Sequence, residues 1–503
     1  MLSRTIKKDD SIIFWGVGAL QTDLQGLYDF TNVKCYIDDY ILERNLISVS
    51  REEISSSSFI RETSPKDVIF ILCGDDQNEA ISKLLKWGYS EYDYILGEEL
   101  LINCNFYKRI EKKGILLWGI GDTYSQNRDI RLLYPNVKGF IDSHPFESSF
   151  DGLPLITPLD EEIIDSDNYI IVTSIYYNEI FKTLSGRGLT AGKDFISYKT
   201  AISIAEIFNR TNAKYQFIDR RKKSSKLLIV LAGYKELVWK NVFDRLKKYV
   251  PREFDICIVT SGLVNFDLMK MCEENEWSYL STEVNHVSLV TNLAILNHPD
   301  AQYIFKMDED IFLTSDVFDV CLETYWKAEN RYEIGFVSPL IPINGYGYVR
   351  LLEIFGSDLL WEEKFGDLKY TDCYCHHKII HDSPDAAKFM WGEGNPNMND
   401  IDIMNDRLKS MDFKYSVCPI RYSIGFILFH RNVWIKMNML PVTKYFNMGS
   451  DEIYFCNFCM MQGRAMIISE NSVVGHFNYG GGQTKAMENY YKEHIEKFII
   501  KDN

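Results

Sequence analysis

The sequence lacks an apolar run long enough to cross a bilayer, and it is short of positive charge. A membrane-spanning helix needs about 18 consecutive apolar residues, and no run in the 503 residues approaches that length. The 55 Lys and Arg are outnumbered by 71 Asp and Glu, which gives a formal net charge of −16. Binding to a phosphate backbone requires a basic face. We therefore expect no nucleic acid among the partners.

Paired cysteines and a signal peptide are also missing. The eleven cysteines are scattered without an even framework, and the first residues do not form a secretory signal. Both features favour a reduced, cytoplasmic setting. The chain is 46% hydrophobic and 14% aromatic, which is typical of a well-packed globular protein with roughly two to four domains.

The first 200 residues contain a repeat with a period near 100. Segment 13–18, Ile-Phe-Trp-Gly-Val-Gly, returns at 116–121 as Leu-Leu-Trp-Gly-Ile-Gly, and a strand ending in Asp38 or Asp142 follows each copy. Each copy has the order strand, Gly-x-Gly turn, helix, strand, then a further strand and helix. This order predicts a parallel sheet with right-handed crossovers in each copy, which resembles small Rossmann-like modules.

The dinucleotide-binding fingerprint of the two copies is incomplete. Gln21 and Tyr124 stand where a third glycine should follow the turn. Asp38 and Asp142 do lie about twenty residues further on, where an acid would meet a ribose hydroxyl. Two interpretations stay open: a nucleotide site, as in a nicotinamide-dependent oxidoreductase or sugar-nucleotide modifier, or a structural or assembly module.

A basic segment, 220–226, precedes a third α/β series. It is interpreted as a solvated linker or as a contact with anionic lipid headgroups, which would attach the protein peripherally to the inner face of the membrane. Hydrophobic periodicity predicts further strands and helices beyond it. The strands are predicted at 227–232, 255–260 and 277–280, and the helices at 237–249, 263–274 and 287–296. The predicted domains are two Rossmann-like repeats at 1–105 and 106–215, followed by a domain at 224–503.

The strand that ends this series, 303–308, runs into Asp308-Glu309-Asp310. Side chains two apart in an extended chain share a face, so Asp308 and Asp310 should point the same way. Two carboxylates at a strand end form an oxygen-rich site suited to Mg2+ or Mn2+, and ligands bind at that end of open α/β sheets. The alternative is a solvated acidic turn.

From about Lys226 to about Asn478 the sequence resembles the glycosyltransferases of the GT-A fold, most of all family 2. The resemblance rests on segments in the family's order, namely 228–233, 285–294, 308–310, 425–431, 449–456 and 473–476. Two positions depart from the family pattern: Thr291 stands where arginine is frequent, and 451–452 reads Asp-Glu instead of Glu-Asp. Segment 341–416 has no counterpart in the family.

The resemblance implies a metal-dependent sugar transfer of the hexosyltransferase type. The donor would be a nucleoside-diphosphate sugar, with a UDP-sugar favoured, and the acceptor a glycan or lipid-linked molecule in bacterial surface polysaccharide synthesis. Mn2+ or Mg2+ would be held by Asp308, Asp310 and His476, with Asp308 bound to the metal or the ribose. Asp451, with Glu452 second, is the expected base of an inverting reaction. The residues expected around the nucleotide are Ala232, Gly233, Tyr234, Thr260 and Asn285.

Other interpretations of these residues stay open. His476 could be a satisfied core histidine, and the acids at 451–452 could serve only to favour a helix start. The cluster Cys373, Cys375, His376, His377 and His381 could supply zinc ligands but lacks a Cys-x2-Cys spacing. The favoured alternative is a substrate-facing insertion whose thiols are incidental. A non-catalytic scaffold is the remaining alternative for the whole chain, and a homo-oligomer is compatible with the sequence.

Overall fold

The computed structural model describes residues 6–43, 54–102, 104, 106–145, 147–370, 378–398, 400–443, 449–477 and 483–500. The chain divides into two compact units, Met1–Thr211 and Asn212–Asn503. Cys373, Cys375, His376 and His377 lie outside the described residues.

The first unit contains one sheet for each copy of the repeat. The first sheet consists of β1 (Ile12–Trp15), β2 (Val33–Ile37), β3 (Ile54–Ser55), β4 (Ile69–Leu72) and β5 (Tyr94–Leu96), and its strand order is β3-β2-β1-β4-β5. The second consists of β6 (Gly114–Trp118), β7 (Val137–Ile141), β8 (Ser149–Phe150), β9 (Leu153–Ile156), β10 (Asn168–Val172) and β11 (Phe195–Ser197), in the order β11-β10-β6-β7-β9-β8. All pairings are parallel except β8 with β9.

Helices cover these sheets, which is why their central strands are almost continuously apolar. All residues of β1, β4 and β10 are buried. The helices are α1 (Ala19–Tyr28), α2 (Asp39–Glu43), α3 (Ser58–Thr63), α4 (Gln77–Lys86), α5 (Gly97–Ile102), α6 (Phe106–Ile110), α7 (Asp122–Gln126), α8 (Ile130–Leu133), α9 (Tyr177–Gly186) and α10 (Tyr198–Asn209).

The Gly-x-Gly turn of the first repeat is closed by contacts within the protein. Gly16 has φ 94°, and a Cβ there would lie 2.1 Å from the backbone nitrogen of Gly74. The two carboxylate oxygens of Asp38 accept hydrogen bonds from the backbone N–H groups of Val17 and Ile41, each at 2.9 Å. Both the glycine and the acid therefore have a structural use that requires no ligand.

A buried aspartate joins the two repeats. Asp23 of α1 is fully buried and accepts hydrogen bonds from the Tyr177 hydroxyl at 2.8 Å and the Thr200 hydroxyl at 2.7 Å. The backbone N–H and hydroxyl of Ser197 donate to the same carboxylate, at 3.1 and 2.9 Å. Burial raises the pKa of Asp23 to about 6, although these hydrogen bonds oppose the shift.

The second unit is built on a nine-stranded mixed sheet. Its strands are β12 (Tyr215–Ile218), β13 (Lys226–Leu231), β14 (Asp255–Ser261), β15 (Ser278–Thr282), β16 (Tyr303–Asp308), β18 (Ile334–Leu340), β19 (Tyr415–Val417), β20 (Phe426–His430) and β21 (Ala465–Val473). Their order is β12-β15-β14-β13-β16-β20-β18-β21-β19, in which β13 to β16 are mutually parallel and β20 is antiparallel to β16. A two-stranded ribbon of β17 (Ile311–Phe312) and β22 (Gly475–His476) lies beyond the end of β16 in sequence.

The first three helices of this unit follow the α/β alternation predicted after the basic segment, and most of the later ones were not predicted. The helices are α11 (Glu236–Tyr249), α12 (Phe266–Glu274), α13 (Val287–Asn297), α14 (Val317–Ala328), α15 (Gly347–Phe355), α16 (Asp358–Phe365), α17 (Lys378–Asp382), α18 (Pro384–Met390), α19 (Ile401–Lys409), α20 (Arg431–Lys436), α21 (Ser450–Met461) and α22 (Thr484–Glu493). The predicted α/β class, with parallel strands in its sheets, is confirmed.

One helix boundary differs from the sequence analysis. Helix α12 begins at Phe266, later than predicted, because Asn265 caps it by accepting a hydrogen bond from the backbone N–H of Leu268 at 2.9 Å.

In the basic segment, Arg221 pairs with Asp219, and Lys226 forms an ion pair with Glu253 at 3.1 Å. No helix in the described segments combines the length and the apolar character that crossing a membrane requires.

Candidate metal centre

Strand β16 ends at the centre of the large sheet, between the parallel strand β13 and the antiparallel strand β20. Lys306 lies two residues before Asp308, on the same face of the strand, and is buried. Its ammonium donates hydrogen bonds to Asp308 Oδ1 at 2.9 Å and to the Ile424 carbonyl at 3.1 Å. Burial opposes the charge on Lys306, but the nearby carboxylates of Asp308 and Asp451 outweigh it and raise the pKa of Lys306.

Glu309 points to the opposite face and holds the loop that follows β13. It accepts hydrogen bonds from the backbone N–H groups of Gly233 and Tyr234, at 2.8 and 3.0 Å, and from the Trp239 indole at 2.6 Å. Burial raises the pKa of Glu309, with these donors acting against the shift. Gly233 has φ 134°, which favours glycine over any residue with a Cβ.

Asp310 is fully buried, and only one of its oxygens is engaged. Lys235 Nζ donates to Oδ2 at 2.6 Å, whereas Oδ1 accepts no hydrogen bond from the described part of the chain. Burial alone would raise the pKa of Asp310, but the charges of Lys235 and His476 outweigh it and hold this pKa below its ordinary value. The carboxylate is therefore ionised and carries an open coordination position.

The β17–β22 ribbon places His476 beside this open oxygen. Ile311, the residue after Asp310, is paired with His476, whose Nε2 lies 3.6 Å from Asp310 Oδ1. The ring fits because residue 425 is glycine: a Cβ there would lie 3.0 Å from His476 Cε1. Burial lowers the pKa of His476, which favours the neutral imidazole that binds metals.

Asp308, Asp310 and His476 together form a group that could hold a metal ion. Each offers one ligand atom, and these atoms lie within 4.8 Å of one another. Two carboxylates and a neutral imidazole suit Mn2+. They also suit Mg2+, which would take more of its remaining ligands from water or phosphate oxygens. The unsatisfied buried oxygen of Asp310 is the observation that fits a cation best, because an orphaned acceptor is costly without one.

The metal centre opens into a cavity of about 620 Å³. Predicted residues on its wall include Ala232, Tyr234, Asn285, Asp308, Asp310, His476, Asp451 and Glu452. Gly233 and Thr260 are not among the described lining residues. The Thr260 hydroxyl instead bonds to the Leu263 carbonyl and the Tyr279 hydroxyl, both at 2.8 Å, while the next residue, Ser261, lines the cavity.

The two acids in the first turn of α21 are both buried, but their surroundings differ. Glu452 forms an ion pair with Arg421 at 2.5 Å and accepts the backbone N–H of Ile424 at 3.3 Å. Asp451 lines the same cavity without such a pairing among the described residues and contributes to the raised pKa of Lys306. Glu452 is held in place, whereas Asp451 keeps acceptor positions available.

Several cavity residues were missed in the sequence analysis. Lys306 carried a signal, since a lysine in the apolar strand segment Ile304-Phe305-Lys306-Met307 shares a face with Asp308. Lys235 and Arg421 carried none, because each is a single basic residue in a loop. Helix α17, from the segment without a family counterpart, adds Lys378, His381 and Asp382. His381 is thus on the cavity wall, while the rest of its predicted zinc cluster lies outside the described residues.

Comparisons with known proteins give little beyond this geometry. No protein-family model and no curated protein matches the sequence. One similar solved structure is a crystal structure of GalNAc-T7 with UDP, GalNAc and Mn2+, with a TM-score of 0.31 and 12% sequence identity. The alignment covers 53% of this chain and 47% of that chain, so the chain spans about half the length of this structure.

Proposed function

We propose that this protein is a metal-dependent glycosyltransferase that uses a nucleoside-diphosphate sugar, with a UDP-sugar favoured. The observation that carries the proposal is the group Asp308, Asp310 and His476 at the carboxyl end of a central strand, opening into a cavity of about 620 Å³. A pocket of this size is suited to a nucleotide-sized ligand. Ligands of open α/β sheets bind at this edge.

The chemistry requires stabilisation of a leaving nucleoside diphosphate. When bound by Asp308, Asp310 and His476, Mn2+ or Mg2+ supplies positive charge at the leaving phosphate oxygens. Lys235 is part of the same cavity and can add a second positive charge for the diphosphate. These charges offset the overall acidity of the chain, which would otherwise repel an anionic donor.

The nucleoside would bind beside the ends of β13 and β14. Tyr234 is 60% exposed, and its hydroxyl is fixed by donating to the Ser261 carbonyl at 2.6 Å, so its ring is a preordered surface on which a base can stack. Ala232 and Asn285 lie on the same cavity wall. Gly233 acts indirectly in this proposal, because its N–H binds Glu309 and positions the loop.

Asp451 is the proposed base that takes the proton from the acceptor hydroxyl in an inverting transfer. A base needs a carboxylate oxygen that can reach the acceptor, and Glu452 is committed to Arg421 and Ile424. Glu452 is the second choice for this role. The acceptor is proposed to be a glycan or lipid-linked molecule in bacterial surface polysaccharide synthesis, and α17 is the element placed to contact it.

Thermal unfolding with nucleotides tests the proposal directly. UDP, GDP, CDP and TDP are each added with and without Mn2+, and the midpoint of unfolding is measured. Ligand at a hundred times its Kd should stabilise the protein by about 2.7 kcal/mol. We expect an upward shift that needs both a nucleotide and Mn2+, largest for UDP. No shift with any pair would refute the proposal.

The base assignment is tested by turnover. Asp451→Asn should reduce donor turnover by about a hundredfold to ten-thousandfold while leaving nucleotide binding nearly intact. Glu452→Gln is compared with it, and Asp267→Asn, which changes an acid in the first turn of α12, is the matched control. Unchanged turnover in both cavity variants would remove the base from this helix.

A further inference from the structure

We infer that Lys235 neutralises Asp310 of the candidate metal centre until a nucleoside diphosphate arrives, so that metal and nucleotide bind together. The inference rests on the proposed function and deepens it, because it concerns how the same site is filled. It follows from a difference between two lysines that each pair with one carboxylate of the metal group.

Lys306 is a fixed part of the site. Its side chain is 4% exposed, and its ammonium is held by both Asp308 and the Ile424 carbonyl. Removing it from Asp308 would leave a buried charge without its partner, which is strongly unfavourable. Lys306 therefore neutralises Asp308 whether or not a ligand is present.

Lys235 is tethered but able to move. Its side chain is 39% exposed at the cavity wall, and within the described chain its ammonium donates a hydrogen bond to Asp310 alone. The preceding residue is fixed, since the N–H of Tyr234 donates to Glu309. A rigid backbone with a flexible four-carbon stem allows the ammonium to leave Asp310 and reach a ligand in the cavity.

Charge balance explains why the departure requires a diphosphate. With both ammonium groups in place, the carboxylates of Asp308 and Asp310 are already compensated by Lys306 and Lys235. A divalent cation at the open Oδ1 of Asp310 then gains little net attraction while the Lys235 ammonium stays on Oδ2. Phosphate oxygens offer that ammonium a charge-assisted hydrogen bond in exchange. Mn2+ and the nucleotide should consequently strengthen each other's binding to an equal extent.

The inference is tested by measuring Mn2+ binding to the nucleotide-free protein by the loss of the free-Mn2+ electron paramagnetic resonance signal. Lys235→Met should bind Mn2+ at least about tenfold more tightly than wild type, a difference of about 1.4 kcal/mol. Lys235→Arg keeps the charge and should stay within about threefold of wild type. Lys240→Met removes an exposed lysine of the same region, paired with Asp244, and is the matched control.

A second measurement guards against a folding defect. Lys235→Met leaves Asp310 buried without its ammonium, so its unfolding midpoint should be lower than that of wild type and should recover when Mn2+ is added. The same nucleotide-free affinity in wild type and Lys235→Met would overturn the inference and leave the proposed function standing. If neither wild type nor Lys235→Met binds Mn2+ even with UDP, the metal-dependent function itself is refuted.

Discussion

Asp23 in the first unit and Asp310 in the second are both completely buried, yet their surroundings are opposite in kind. Asp23 accepts four hydrogen bonds, all from uncharged donors on Tyr177, Ser197 and Thr200. Asp310 accepts one from the Lys235 ammonium, and its Oδ1 accepts none from the residues that the structure describes. Uncharged donors do not fully compensate for desolvation, so the pKa of Asp23 rises to about 6, while nearby positive charge lowers the pKa of Asp310.

The difference separates a structural carboxylate from one available for chemistry. Both carboxylate oxygens of Asp23 accept hydrogen bonds from its own chain, so a ligand would gain little there. Asp310 is ionised, buried and incompletely satisfied, a combination that is unfavourable unless a cation completes it. The same distinction applies to Asp38, whose two oxygens bind backbone N–H groups.

The largest expected effect comes from exchanging each buried acid for its amide. Asp310→Asn should lower the affinity for Mn2+ with UDP by about a thousandfold, because it removes a charged ligand from a site that is poorly solvated. Asp23→Asn should leave that affinity unchanged. Both are measured as the UDP–Mn2+ thermal shift, and an equal loss in the two variants would erase the contrast.

The pH dependence of stability should follow Asp23. Its pKa is raised from 3.8 to about 6 by folding, so the folded state binds the proton more tightly than the unfolded state. The resulting stability, about 3 kcal/mol, is fully present below about pH 4 and is lost as pH rises through about 6. Urea unfolding of wild type and Asp23→Asn across this range measures it, and parallel curves for the two proteins would contradict the assignment.

A smaller effect on Mn2+ affinity is expected from Gly425→Ala, which tests whether the position of the His476 ring beside the Asp310 carboxylate matters. The new Cβ would lie 3.0 Å from His476 Cε1 and 3.3 Å from Nδ1, so the imidazole must shift away from Asp310. Mn2+ affinity in the presence of UDP should fall by about 10- to 100-fold. Gly186→Ala is the control, since a Cβ there meets nothing within 4 Å. Unchanged affinity in Gly425→Ala would argue against His476 as a ligand.

The smallest effect compares the strand-end acids of the two repeats. Asp38→Ala removes the carboxylate that accepts hydrogen bonds from the backbone N–H groups of Val17 and Ile41. It should lower the free energy of unfolding by about 1–2 kcal/mol. Asp142 accepts one hydrogen bond, from the backbone N–H of His144, in an exposed setting. Asp142→Ala should therefore lower the free energy of unfolding by about 0.5 kcal/mol. Chemical denaturation of the two variants measures the difference. A larger loss for Asp142→Ala would reverse the expected order.

Much of the fold was predictable from the sequence because its signals are local. Glycine turns, apolar strands and the helix periodicity of α11 fixed the order of elements, and the side-chain alternation in 308–310 separated Glu309 from its two neighbours. The segment after Phe355 was not predictable, since α16 to α19 are short helices with no repeated pattern. Helix α17 lines the cavity, and the cue in its own sequence was His381, which the sequence analysis assigned to a possible zinc cluster.

The candidate site was predictable to the extent that its residues sit at strand ends. Asp308 and His476 could be proposed from such positions, and the roles assigned to them stay predictions. Lys235 and Arg421 escaped notice because a single basic residue in a loop carries no information about which distant acid it will meet. Thr260 was the predicted cavity residue of β14, but side chains alternate along a strand. Thr260 points into the core, and its neighbour Ser261 faces the cavity.

The β17–β22 ribbon sets a condition on when the candidate metal site is complete. The pairing with Ile311 brings His476 to the site, and the ribbon joins segments far apart in the chain. During synthesis, the acids at 308–310 leave the ribosome long before their histidine does. An incomplete or clipped polypeptide that lacks β22 would therefore have the acids without the histidine, so the candidate site is complete only in a chain whose late segments have already docked.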